Sequence, residues 1–219
     1  MNKYAIARAS GAVDLDGRVD GTAWSRAAVM PIDLFPWHKA GLKQATSLRA
    51  LYDDRALYLQ FTCEDKHISS QVTELNGPVC SDSCVEFFAT IEPDRRQDYF
   101  NFEANCCGHF HLGFGAGRDG RKLISPQGAS RIEVATSVAG PTKSEAVDDD
   151  GWWLVAAIGF DVLGELAGAA VRPQSGTTWR ANAYRCGGAT DPQFACWNPV
   201  GTDGPDFHRP EFFGEARFA

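Results

Sequence analysis

The stretch Asp82-Ser83-Cys84-Val85-Glu86-Phe87-Phe88-Ala89-Thr90-Ile91 decides the fold class of this chain. Its apolar row contains Val85, Phe87, Ala89 and Ile91, and the opposite row contains Cys84, Glu86, Phe88 and Thr90. A period of two is the signature of a β-strand, because successive side chains point to opposite faces of a sheet. The stretch therefore predicts a strand with one face in an apolar core.

The segment that follows repeats the alternation and adds a polar row. In Tyr-Phe-Asn-Phe-Glu-Ala-Asn, residues 99–105, the apolar row is Phe100, Phe102 and Ala104, and the other row is Tyr99, Asn101, Glu103 and Asn105. Cys106-Cys107-Gly108 is then predicted to be a hairpin loop. A three-residue loop places Asn105 opposite His109 and Glu103 opposite His111 on the returning strand.

The remaining chain predicts an all-β fold. About ten strands are expected, with clear examples at residues 46–52, 56–63 and 152–160. One short helix is expected at residues 162–166, with Asp161 as its N-cap. Apolar residues make up 44% of the chain and no linker divides it, so we expect a single domain over residues 1–219. The fold class predicted from this spacing is an antiparallel β-sandwich.

Charge and hydropathy exclude two classes of partner. The formal net charge is −7, and the longest basic cluster is Asp94-Arg95-Arg96, which argues against nucleic-acid binding. No apolar run approaches the roughly 20 residues that cross a bilayer, so no membrane is expected. The N-terminus lacks the apolar core of a secretory signal, which predicts a cytoplasmic protein, or a secreted or periplasmic one if a leader has been removed.

Seven cysteines are present, an odd number, with no C-x-x-C spacing, so a structural zinc site is not expected. Cys186 and Cys196 flank a short loop and would form a disulfide if the ends of that loop pair. The alternative is that most of the seven are buried thiols that pack as small apolar residues. Cysteine usage favours a reducing compartment.

Several stretches in this order resemble one known family. They are Asp16-Gly17-Arg18-Val19-Asp20-Gly21-Thr22-Ala23-Trp24, Leu51-Tyr52-Asp53-Asp54-Arg55-Ala56-Leu57-Tyr58-Leu59, Asp82-Ser83-Cys84-Val85-Glu86-Phe87-Phe88, Tyr99-Phe100-Asn101-Phe102-Glu103-Ala104-Asn105, Trp197-Asn198-Pro199-Val200 and Phe207-His208-Arg209-Pro210-Glu211-Phe212-Phe213-Gly214. Together they resemble the family 9 carbohydrate-binding modules over residues 13–218. The order and spacing of the motifs, rather than any one of them, make the resemblance specific.

The resemblance implies an immunoglobulin-like sandwich of two antiparallel sheets that binds sugars, often at the chain ends of plant polysaccharides. It implies a setting in polysaccharide catabolism, commonly beside a glycoside hydrolase, and structural calcium in some members. The family's pocket combines an aromatic clamp with a glutamate, which matches Glu86, and with strand polar residues, which match Asn101 and Glu103. One clamp position appears as Phe207. Cys80 stands near the place of the other, where the family has a tryptophan.

The residues themselves nominate the same sheet face. The candidate ligand-binding residues are Glu86, Tyr99, Asn101, Glu103, Asn105, His109 and His111, with Trp37 and Phe207 as rings that stack on a sugar. Sugar hydroxyls both donate and accept hydrogen bonds, so they require carboxylate, amide and imidazole groups beside an aromatic face. The alternative is a polar face that simply meets water, with Trp37 packing a long loop.

Other functions stay open at this level. Glu86 and Glu103 on adjacent strands would suit the carboxylate pair of a glycoside hydrolase. The pair His109 and His111, with Glu103 and Cys106 nearby, would suit zinc or copper. Calcium would use the aspartates at positions 14, 16 and 20 or at 148–150. A haem-binding redox sandwich would need an axial ligand, and Met30 is the one internal methionine. We expect non-catalytic carbohydrate binding, with no catalytic residue, metal or cofactor.

Overall fold

Strands dominate the computed structural model, which describes residues 1–92, 97–190 and 192–219. The strands are β1 (Lys3–Arg8), β2 (Met30–Ile32), β3 (Thr46–Tyr52), β4 (Ala56–Glu64), β5 (Cys84–Thr90), β6 (Tyr99–Asn105), β7 (Phe110–Gly115), β8 (Lys122–Leu123), β9 (Glu133–Thr136), β10 (Gly151–Gly159), β11 (Thr178–Cys186), β12 (Phe194–Cys196) and β13 (Gly214–Phe218). The helices are α1 (Pro126–Ala129) and α2 (Phe160–Ala167), and short 3-10 turns lie at Ala23–Arg26, Val79–Ser81 and Pro210–Phe212. The basic cluster Asp94-Arg95-Arg96 lies outside the described residues.

The strands form two layers that share β1. The hydrogen-bonded order is β8-β7-β6-β5-β11-β13-β1-β3-β4-β10-β9, with β12 on β11 and β2 on β3. The first four residues of β1 pair with β13 and its last two residues pair with β3, both in parallel. The all-β sandwich is therefore confirmed, with two corrections. The described residues contain 13 strands rather than ten, because the extra ones are too short to show alternation, and the pairings of β1 are not antiparallel.

The main core lies between the two layers. Val85 and Phe87 from β5 pack there with the apolar row of β6 and with Leu59 and Phe61 from β4, all buried. The apolar rows predicted from the alternation are thus the rows that fill the core. The opposite rows of β5, β6 and β11 face a second, smaller cluster that contains Phe88, Tyr99 and Tyr184. That second face carries the polar residues singled out above.

The predicted helix exists, but its N-cap differs. The N-cap of α2 is Gly159, and Asp161 lies in the first turn, where a carboxylate is favoured by the helix dipole. Gly168, with φ of 67°, ends the helix. The other helix, α1, has Ser125 as its N-cap and is too short to leave a periodic signal in the sequence. No helix among the described residues has the length and apolar character needed to cross a membrane.

Of the two alternatives for Cys186 and Cys196, the structure has the free thiols and not the disulfide. The strands β11 and β12 do pair, but Cys186 lies opposite Phe194 and Cys196 lies opposite Tyr184. The two cysteines are therefore out of register, and all seven cysteines are free thiols. Most of them are buried, as expected for thiols that act as small apolar side chains.

Candidate functional site

Two buried carboxyl groups form the centre of the candidate site. Glu86 on β5 lies directly opposite Glu103 on β6, and the two residues are 2% and 7% exposed. The Nδ2 atom of Asn101 donates to Oε1 of Glu103 at 2.7 Å. The Cys186 thiol, on β11, donates to Oε1 of Glu86 at 3.2 Å. Three neighbouring strands therefore present polar groups at one point of the sheet.

Burial raises the pKa of both carboxyl groups, and it does so more strongly for Glu86. Burial, followed by the neighbouring Glu103 carboxyl, raises the pKa of Glu86 well above its usual range. Burial also raises the pKa of Glu103, but the Asn101 hydrogen bond and the charges of His111 and Arg121 favour its ionised form. The surroundings therefore favour the protonated form of Glu86 more than that of Glu103. A protonated carboxyl group donates one hydrogen bond, whereas an ionised one only accepts.

Two adjoining cavities open above these groups. The inner cavity, about 180 Å³, is lined by Cys80, Glu86, Glu103, Arg118, Cys186, Phe194, Pro205, Phe207 and His208. The outer cavity, about 540 Å³, is lined by Asn76, Gly77, Pro78, Cys80, Asn101, Glu103, His111, Arg118, Asp119, Gly120, Arg121, Leu123 and His208. Four residues belong to both, namely Cys80, Glu103, Arg118 and His208. The two cavities are parts of one continuous site.

Phe207 supplies an aromatic wall of the inner cavity. Its ring stacks on Tyr184, with centroids 4.0 Å apart and planes inclined by 13°. The Trp37 ring packs against Phe207 at 5.8 Å, and its Nε1 atom donates to the carbonyl of Thr202 at 2.7 Å. Phe207 is therefore fixed between two other rings. A fixed ring offers an apolar face to a ligand at little entropic cost.

His208 and Tyr99 form a hydrogen-bonded pair beside the carboxyl groups. The Tyr99 hydroxyl lies 2.8 Å from Nδ1 of His208. Burial and the nearby Arg118 and Arg121 charges lower the pKa of His208 to about 4, while burial raises the pKa of Tyr99 to about 12. The tyrosine hydroxyl therefore donates to Nδ1, and the neutral imidazole carries its proton on Nε2. Tyr99 itself is fully buried and supports His208 from behind.

Arg121 organises the wall of the outer cavity. Its Nε atom donates to Oδ1 of Asn101 at 2.9 Å, and its two terminal nitrogens donate to the carbonyls of Gly117 and Tyr99, each at 2.6 Å. The guanidinium also lies over the Tyr99 ring, 4.3 Å from its centroid. Because the Asn101 oxygen accepts from Arg121, the Asn101 amide is oriented so that its Nδ2 points to Glu103. Arg121 thus sets the geometry of the carboxyl pair indirectly.

The predicted site residues fall into three groups. Five line the cavities: Glu86, Asn101, Glu103, His111 and Phe207. Tyr99 and Trp37 lie behind that lining and support it. Asn105 and His109 lie elsewhere: the Asn105 amide donates to Asp82 and to the Val72 carbonyl, and its Oδ1 accepts from the His109 backbone. The predicted hairpin register, with Glu103 opposite His111, is confirmed.

Other lining residues lacked a usable sequence signal. Arg118 and Arg121 lie in or beside the glycine-rich segment 115–120, where no periodic pattern orients a side chain. Phe194 lies on a three-residue strand that is too short to predict. Cys186 shares a face with Tyr184 by simple alternation, and Tyr184 pairs with Glu86. That signal was present, but its use required knowing that β11 lies beside β5.

The residues named for metals do not gather into a metal site. The Asp16 carboxylate is bound by Arg18 at 2.6 Å, and that of Asp150 by Lys66. His111 Nδ1 lies 3.2 Å from the Asn76 carbonyl oxygen. Across residues 1–92, 97–190 and 192–219, no three His, Cys, Asp or Glu residues converge on one point. Met30 is buried in the main core.

The fold and the cavity define the class of protein, an all-β sandwich with a polar, aromatic-walled cavity on one sheet face, and comparison with known families gives the particular family. The model of carbohydrate-binding family 9 matches residues 16–218, and the chain belongs to that family. The expected function, carbohydrate binding without catalysis, is confirmed at the level of the family.

Solved structures show the same fold. A protein of Bacteroides uniformis ATCC 8492, proposed to bind carbohydrate, is 26% identical, with a TM-score of 0.85 and 99% of each chain covered. A family 9 module from Caldicellulosiruptor kristjanssonii in complex with cellotriose is 15% identical, with a TM-score of 0.66 over 99% of this chain and 93% of that one. The same module in complex with glucose gives equal identity and TM-score over 100% and 96%. No curated protein sequence matches the chain.

Proposed function

We propose that this chain binds the end of a mono- or oligosaccharide at the Glu86–Glu103 pair, with the terminal sugar in the inner cavity and the next unit in the outer one. One observation carries the proposal: a cavity of about 180 Å³ has a buried carboxyl pair at its floor, a fixed aromatic wall, and an opening into a larger polar cavity. A cavity of that size admits a single pyranose ring.

The chemistry of the inner cavity suits a sugar ring. In its protonated form Glu86 donates one hydrogen bond and Glu103 accepts, so a pair of adjacent hydroxyls finds both partners that it needs. His208 adds a neutral imidazole, and the Phe207 ring offers an apolar face to the C–H groups of the sugar. No formal charge on the ligand is required, because a proton on Glu86 and the Arg118 guanidinium limit the negative charge of the site.

The family supports binding rather than turnover. We propose that the chain is one domain over residues 1–219 and works beside a glycoside hydrolase in polysaccharide breakdown, in the cytoplasm or, if a leader is removed, outside it. The family resemblance supports that partnership. Co-purification of a glycoside hydrolase with the tagged protein from its own cells would support the partnership. A tagged protein that sediments alone, with no hydrolase bound, would contradict it.

Calorimetric titration with glucose, cellotriose and a panel of common sugars tests the binding proposal. We expect saturable binding, weakened about 10- to 100-fold by Glu86→Ala, because the buried hydrogen bonds of this side chain to a polar ligand are lost. Glu165→Ala is the matched control, since this carboxylate lies on α2, outside both cavities, and pairs with Arg131. The proposal fails if Glu86→Ala binds as the wild type does. Turnover of a chromogenic glycoside that Glu86→Ala abolishes would replace binding with hydrolysis.

A further inference from the structure

A pair of adjacent thiols lies in the loop between β6 and β7, outside both cavities of the sugar site. The sulfur atoms of Cys106 and Cys107 are 3.9 Å apart. The Cys107 thiol donates to the carbonyl of Gly140 at 2.7 Å, and the Cys106 thiol lies 3.8 Å from the carbonyl of Ser69. Neither residue lines either cavity. The carbohydrate function therefore leaves these two groups without a role.

Backbone geometry opposes an ordinary disulfide at this position. Consecutive Cα atoms across a trans peptide are about 3.8 Å apart, whereas disulfides prefer Cα atoms roughly 4.4–6.8 Å apart. The two residues are free thiols, and burial raises the pKa of Cys106 well above the usual range. The pair is therefore two neighbouring free thiols rather than a disulfide. A direct S–S bond is disfavoured, but the two sulfur atoms are close enough for one larger atom to bond to both.

The separation of the two sulfurs is short enough for both to bond to one bridging centre. Two sulfur ligands of a tetrahedral zinc ion, each about 2.3 Å from the metal, are about 3.8 Å apart, and a pyramidal trivalent arsenic holds its two sulfurs somewhat closer, so the two thiols need to approach only slightly. Zinc would require two more protein ligands, and no third His, Cys, Asp or Glu converges here among the described residues. The fitting centre is one that needs only two thiolates and brings its remaining substituent with it. A monosubstituted trivalent arsenical has that valence.

We propose that Cys106 and Cys107 form a chelating site for monosubstituted trivalent arsenicals. In the reaction with an arsenoxide R–As=O, both S–H bonds and the As=O bond break, two As–S bonds and two O–H bonds form, and one water leaves. Arsenic stays trivalent, so no oxidant or reductant takes part. Entry is at Cys107, which is half-buried, and the bond to the buried Cys106 forms second.

Phenylarsine oxide, intact-protein mass spectrometry and peptide mapping test the site in the folded chain. We expect one phenylarsenic group per protein, mapped to the peptide with both cysteines, stable to excess glutathione and released by 2,3-dimercaptopropanol. Cys106→Ser leaves a single attachment at Cys107, so its adduct should be about 100-fold weaker and exchange with glutathione. Cys107→Ser should lose the stable adduct as well, and it serves alone if Cys106→Ser does not fold.

The matched control is Cys80→Ser/Cys186→Ser, because these thiols also face one cavity. This double variant should keep the stable adduct with unchanged stoichiometry. An adduct that maps to Cys80 and Cys186, or one that survives glutathione in Cys106→Ser, overturns the proposal, as does a wild-type chain that takes up no arsenical. Sugar affinity measured beside each adduct keeps this test separate from the proposed function, because the two sites share no residue.

Discussion

The buried ion pair between Arg185 and Asp65 gives the sharpest test of how the two layers are held together. Arg185 is on β11, and its side chain points into the main core, where it meets Asp65 from the chain just after β4 at 2.5 Å. The two side chains are 0% and 2% exposed. Trp152 Nε1 donates to Asp65 at 3.0 Å, and the guanidinium lies 5.3 Å from the centroid of a Trp152 ring. The pair links both sheets through one network.

The expected magnitude follows from what each substitution leaves behind. Arg185→Met fills most of the volume but leaves the Asp65 carboxylate buried without a counter-charge, which lowers the free energy of unfolding by about 3–5 kcal/mol. Asp65→Asn keeps an acceptor for the Trp152 N–H but leaves the guanidinium without its counter-charge, at a similar cost. The double variant leaves neither charge unpaired, so its loss of unfolding free energy should be much smaller than the sum of the losses of the two single variants. For a chain of this size, about 3–5 kcal/mol lowers the Tm by roughly 6–20 °C.

Urea unfolding followed by tryptophan fluorescence, on the wild type, both single variants and the double variant, completes the cycle. A matched control is Arg131→Met, which removes an exposed arginine that pairs with Asp161 and should change the free energy of unfolding little. The reasoning is refuted if Arg185→Met costs no more than Arg131→Met. It is also refuted if the double variant loses the full sum of the two single variants, since the charges would then act independently.

Three further predictions follow from the site and the turns. The pKa of Glu86 is higher in the folded than in the unfolded chain, where it is about 4.3. Between these two pKa values the folded state binds more protons, so the free energy of unfolding falls as pH rises, by at most about 1.4 kcal/mol per pH unit. Glu86→Gln should flatten that slope in urea unfolding from about pH 5 to 8. Phe207→Ala should weaken sugar binding about tenfold, and Phe207→Tyr, which keeps the ring, should restore most of it in calorimetry. Gly17→Ala should lower the free energy of unfolding clearly more than Gly21→Ala, for which we expect roughly 1 kcal/mol. Both glycines have positive φ, but a Cβ at Gly17 would lie 2.3 Å from the Trp153 ring. Equal melting temperatures of the two variants would contradict this.

The alternation in the sequence predicts which residues share a face, and the structure confirms it for β5 and β6. Alternation depends on backbone geometry alone, so it survives without any knowledge of neighbours. It carries no information on what covers the face. The residues that close the site, Cys80, Arg118 and His208, come from loops distant in sequence, and their positions depend on how the whole sandwich folds. For that reason the carboxyl pair was predictable and its surroundings were not.

Arg185 shows, in the core, the same limit on what alternation in the sequence can predict. Its place in the alternating row with Ala181 and Ala183 puts it on the apolar side of β11, and the structure keeps it there, fully buried. Residue type alone would place an arginine in water. The compensating Asp65 lies 120 positions away, on the other layer. Pairing of this kind depends on sheet order, which the local sequence does not encode.

Hydrogen bonding within the protein separates the polar side chains that support the sheet from those that are available to a ligand. Asn105 is held by Asp82, and Asn101 is held by Glu103 and Arg121, so both are satisfied within the protein. Among the described residues, the side-chain hydrogen bond of Glu86 is a single weak one from the Cys186 thiol. A buried carboxyl group with one thiol partner is costly unless something else completes its hydrogen bonds. A bound hydroxyl would do so, which explains why this position, rather than the better satisfied asparagines, is the centre of the proposed sugar site.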